Sequence, residues 1–152
     1  MQNLLCTQRS VEVVIFRQTG LQPEFRTAYT NTPGSSGESE TLSVEPLIPK
    51  AWEASKRGLL IEKHVTRLNG MQNDLSFTLV VIGIQGTIPS EPGGFTLLPN
   101  QMLAGLAKRQ ESCWLGDVVV AKFRRNKESG TIQYEDFRSA DYCLIRNYFY
   151  HE

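Results

Sequence analysis

Leu75–Ile88, LSFTLVVIGIQGTI, is the stretch whose reading decides how this chain is built. It is rich in β-branched residues, uncharged, and too short to cross a bilayer as a helix. Asn73-Asp74 precedes it and Pro89-Ser90-Glu91-Pro92-Gly93-Gly94 follows, so turn chemistry bounds it on both sides. The reading is a central strand. A strand apolar on both faces has to be covered on both, which implies a packed domain.

Working outward, Val11–Arg17 (VEVVIFR) reads as a first strand and Trp114–Arg124 as a third. Leu59–Leu68 fits either a strand or a helix by its pattern, and the turn chemistry at Asn69-Gly70 and Asn73-Asp74 favours a strand in a hairpin with the central one, through a connection longer than a two-residue turn. Thr131–Tyr134 returns along the third strand after a charged turn at Arg125–Gly130. Helices are expected at Pro46–Arg57, at Gln101–Glu111 with Asn100 as N-cap, and at Glu135–Tyr148. In the last of these, Phe137, Ala140, Leu144 and Tyr148 fall on one face with Cys143 beside them, so Cys143 is expected in the core. Between Thr19 and Glu45 the chain turns to Ser, Thr, Gly and Pro, and TNTPGSSGESETLS is too polar to offset its ordering entropy. A flexible loop at about 30–45 follows, with Phe25 and Tyr29 docked on the core where it begins. The expectation is one α+β domain over 1–152: a mixed, mostly antiparallel sheet of about four to six strands, two or three helices and one long polar loop.

The chain has 16 basic and 16 acidic residues, eight of each in 1–75 and eight of each in 76–152. So even a spread argues against a polyanion-binding tail. Cys6, Cys113 and Cys143 are odd in number and far apart, which reads as reduced thiols in an intracellular protein, cytoplasmic or nuclear. The opening residues lack the basic and apolar regions of a secretory signal, and no stretch is a membrane span. His64 and His151 are too isolated for a histidine metal site, so no metal or cofactor is expected.

The residues able to carry chemistry are few. Glu62 and His64 share a strand face, where a carboxylate beside an imidazole makes half of a dyad. Cys113, near Lys108 and Arg109, is the candidate reactive thiol, although a helix C-terminus has the wrong dipole sign to activate it. Lys122, Arg124, Arg125 and Lys127 are the densest basic cluster, a candidate phosphate or RNA patch or simply a solubilised edge strand. Glu91 is the charge in the Pro/Gly loop. The serines and acids of Ser35–Glu45 suit an acid-directed kinase or a plain linker. Tyr148 and Tyr150 close the chain with recognition surface.

Three functions compete on this inventory. The leading one is a non-enzymatic protein-interaction or regulatory module whose partner is another protein or a second copy in a homodimer. The alternatives are a small hydrolase or transferase using Cys113 or His64, and a weak nucleic-acid-binding domain on the basic cluster.

Overall fold

A computed structural model describes residues 6–33, 39–48, 60–85, 98–108 and 114–152. The elements are β1 (Cys6–Phe16), β2 (Glu24–Pro33), β3 (Thr41–Ser43), β4 (Leu60–Val65), β5 (Thr78–Gln85), α1 (Gln101–Leu106), β6 (Trp114–Arg125), β7 (Ile132–Glu135) and α2 (Tyr142–His151). A single 3-10 turn, Ser139–Asp141, leads into α2. All strand pairings are antiparallel, in the order β3-β2-β1-β6-β5-β4, with β7 added beside β6.

β6 lies at the centre. On one edge it pairs with β5 along most of its length. Its other edge is shared. β1 holds Val118–Val120 through Val14–Phe16, and β7 takes over at Lys122–Arg125. Beyond Val14, β1 therefore parts from β6, and a wedge opens between β1 and β7.

Each face of the curled sheet carries its own core. Val80 and Ile82 of β5 pack with Val13, Ile15, Val119, Phe123 and Tyr134 on one face. Leu79 and Val81 pack on the other with Phe16, Trp114, Phe137 and the helical Ile145 and Phe149. Gly83 suits the close packing here, because a Cβ would stand 3.2 Å from both the Trp114 ring and the Val118 methyl and they would have to give way slightly. Nearby, β6 bulges against β5 between the Ile82 and Ile84 pairings, and Gly116 supplies the left-handed φ of 71°.

The expected α+β architecture is not what forms. The described residues make a seven-stranded antiparallel sheet with two helices of only six and ten residues, so the protein is nearly all-β. The polar stretch is the first cause. Glu24–Pro33 is a ten-residue strand, not a loop, and Thr41–Ser43 pairs back onto it. Threonine and tyrosine are good strand formers, and their alternation over Phe25–Asn31 outweighed the composition. The second cause is at the C-terminal end, where Glu135 completes β7 and Asp136 accepts the Glu12 N–H at 2.9 Å. The helix starts at Tyr142 instead, which resets its phase: Ile145 and Phe149 are its buried positions and Cys143 is exposed, not in the core. The helix expected at Pro46–Arg57 lies outside the described residues from 49 on, with 45–47 in a turn. α1 does begin at Asn100, whose side chain accepts the Leu103 N–H, but ends at Leu106 with Ala107 extended. Among the described residues no helix is long and apolar enough to cross a membrane.

Candidate functional site

The wedge between β1 and β7 is closed by side chains and one backbone bond from Glu40 in place of a ladder. The Ile132 N–H donates to the Ser39 hydroxyl at 2.9 Å, and the Glu40 N–H donates to the Ile132 carbonyl at 3.0 Å. Two residues on, the Tyr134 N–H donates to the Glu40 carboxylate at 2.7 Å, and Nη2 of Arg9 donates to the Tyr134 carbonyl at 2.7 Å. Arg9 and Glu40 meet in a bidentate pair of 2.9 and 2.7 Å. The hydroxyls of Thr30 and Thr32 add donors at 3.0 and 3.3 Å. Burial pushes the Glu40 carboxyl up, but the bonds from Arg9, the Tyr134 N–H and Thr30 outweigh it and hold the carboxyl below its usual range. The edge of β7 is thereby satisfied without another strand.

Outside this closure lies a polar cleft of about 510 Å3, bordered by Arg9, Ser10, Arg124, Gln133, Asp136 and Arg138 among others. Its margin continues onto the outer face of β2, because Ser10 is the register partner of Tyr29. Tyr29 is 49% exposed and Phe25, four residues back on the same face, is 42% exposed. Phe25 leans on Phe137, at 6.1 Å between ring centres, which ties it to the segment carrying Asp136 and Arg138. Phe25 thus docks on the core through Phe137, as expected, with part of its ring left exposed, whereas Tyr29 is a surface group and not the docked residue expected. Around them the face presents Gln8, Ser10, Thr27, Asn31 and Thr41, with Glu12 opposite Thr27.

The residues singled out in the sequence do not assemble. Lys122 is buried, 3.1 Å from Asp141 and over the Phe77 ring at 4.3 Å, so it anchors the start of α2 to the sheet. Arg124 bonds Glu135 at 2.8 Å and the Ser76 carbonyl at 3.1 Å. Arg125 turns back to the Gly130 carbonyl at 2.9 Å, and Lys127 sits exposed in the same hairpin turn. Glu62 and His64 do share a face, 3.6 Å apart and both exposed, with the imidazole edge-on to Phe123. Together with Glu40, the Glu62 charge adds to burial in pushing the Tyr134 phenol up to about 12. Tyr148 packs edge-on to Phe149, and burial and a bond to Glu152 push its phenol up. Tyr150 and Cys143 border a separate groove between α1 and α2. Cys113 and Glu91 lie outside the described residues, as do 34–38 of the serine-rich stretch.

Sequence reading passed over Arg9 and Glu40, which are 31 residues apart. The Phe-x-Thr-x-Tyr-x-Asn alternation of Phe25–Asn31 was the signal available for the aromatic face. No protein-family model, curated protein or solved structure matches this chain.

Proposed function

We propose that this protein is a non-enzymatic binding module whose recognition surface is the polar cleft together with the aromatic-bearing face of β2. The observation that carries this reading is the exposure of Phe25 and Tyr29, four residues apart on one sheet face. Folding leaves large aromatics half in water only at a cost in burial of roughly 1 kcal/mol or more each, and such groups recur where a ligand covers them. The cleft beside them adds directional donors and acceptors, the usual composition of a recognition site. Of the groups with catalytic character that are described, His64 and Glu62 stand on an open strand face and do not line the cleft.

A ligand screen by thermal shift on the full chain and on Tyr29→Ala tests the reading. A ligand-induced rise in Tm that Tyr29→Ala loses is the expected result. Turnover of a generic ester that disappears in His64→Ala would overturn it in favour of hydrolysis.

A further inference from the structure

Resting on that reading, we infer that the ligand is a neutral oligosaccharide chain, laid across the Phe25–Tyr29 face with one end in the cleft. Charge is the first argument. Three of the four cations at the cleft are held in ion pairs, Arg9 by Glu40, Lys122 by Asp141 and Arg124 by Glu135, and Arg138 shares the lining with Asp136. A phosphate or sulfate ligand needs a local cationic surplus, and here the four cations are balanced by four carboxylates, Glu135 and Asp136 in the lining and Glu40 and Asp141 behind it. Glu12, opposite Thr27 between the two aromatics, is of the wrong sign for a polyanion, as is Asp136, which accepts the Glu12 N–H at 2.9 Å.

What the cleft does offer is a dense set of planar donors and acceptors with no net charge. Guanidinium, carboxylate and amide groups of Arg138, Asp136 and Gln133 lie within one lining. Such groups bond adjacent hydroxyls in pairs, and a sugar ring presents hydroxyls that both donate and accept. The aromatic face supplies the complement. The negative face of a benzene ring attracts the weakly positive C–H face of a pyranose. Phe25 and Tyr29 are four residues apart on one strand, about 13 Å at a rise of roughly 3.3 Å per residue, so they suit a chain better than a single sugar. Thr27 lies between them on the track, Ser10 stands opposite Tyr29, and Asn31 and Thr41 continue it beyond Tyr29.

Native affinity electrophoresis of the full chain tests this, with soluble starch, hydroxyethylcellulose, laminarin, galactomannan and glycol chitin cast separately into the gel. Heparin and a thymidine oligonucleotide serve as polyanion probes. The expected result is retardation by at least one neutral glycan, insensitive to salt, with affinity about tenfold weaker in Tyr29→Ala and in Phe25→Ala. Tyr29→Phe, which keeps the ring, should retain most of the binding and guards against a folding defect in the alanine variants. Absence of retardation by every glycan overturns the assignment, as does salt-sensitive binding to heparin or the oligonucleotide alone. A Tyr29-dependent dimer without glycan binding overturns the ligand class while leaving the recognition surface standing. Glycan binding unchanged in both alanine variants removes that surface instead.

Discussion

Glu40→Ala is the most informative single perturbation of this structure. The carboxylate accepts from Arg9, Thr30, Thr32 and the Tyr134 N–H, and its side chain is only 6% exposed. Removing it leaves the buried Tyr134 N–H without an acceptor, a loss of about 1–3 kcal/mol. The Arg9 guanidinium also loses its partner, but with its side chain 37% exposed it is largely rehydrated and adds less. We expect a total near 3 kcal/mol, with Arg9→Ala costing about 2 kcal/mol because the buried Glu40 carboxylate loses its cation but keeps its other donors, and the double variant less than the sum. Urea unfolding followed by circular dichroism measures this as a fall in midpoint at constant m. The effect should depend on pH. Because Glu40 is held below its ordinary range when folded, its contribution is complete above an unfolded pKa of about 4.3 and drains as pH falls through the folded value. Wild type and Glu40→Gln should therefore converge in acid. A Glu40→Ala loss under about 0.5 kcal/mol would refute the argument that side chains close the edge of β7.

Four further outcomes follow from the same geometry. Asp141→Asn strands the buried Lys122 ammonium and should destabilise by about 3 kcal/mol, whereas Lys122→Met with Asp141→Asn should recover most of it, both read by urea unfolding. Gly83→Ala drives a methyl into the Trp114 ring and should lower stability by about 1–3 kcal/mol, with a change in tryptophan fluorescence. Gly105→Ala, whose added methyl meets nothing within 4 Å, should instead raise stability by up to about 1 kcal/mol by the same measurement. Tyr134 has a raised pKa of about 12, so its contribution is present below the ordinary pKa near 10 and is lost as pH rises through 12; Tyr134→Phe should flatten that alkaline loss in a thermal-melt series.

Where sequence and structure agree, the cause is local. The uncharged, two-faced apolarity of β5 announces an interior strand, and Asn100 before a helical pattern announces its cap. Where they part, distant residues decide. The Thr/Ser-rich run has the composition of a loop, yet Ala28 and Thr30 bury one face of it against Val11 and Arg9 of β1. The terminal helix has a consistent apolar period from Phe137, yet the pairing of β7 with β6 takes the first residues and moves Cys143 to the surface. The candidate site was the least legible part. Lys122 and Arg124 read as one basic row in the sequence, and only folding sets Asp141 and Glu135 against them.

The sequence by itself determined that the chain makes strands with two apolar faces, carries no net charge, and holds no compact catalytic or metal-binding motif. Those are properties of composition and of spacing within a dozen residues, which periodicity reports directly. Tertiary structure alone decided that β1 and β7 share one edge of β6 and that the gap between them is sealed by Arg9 and Glu40. It also decided that Phe25 and Tyr29 face outward beside the resulting cleft. An ion pair between residues 31 apart, bonded to a strand 94 further along, leaves no periodic trace. It exists because the sheet curls, and the curl is a property of all the strands together.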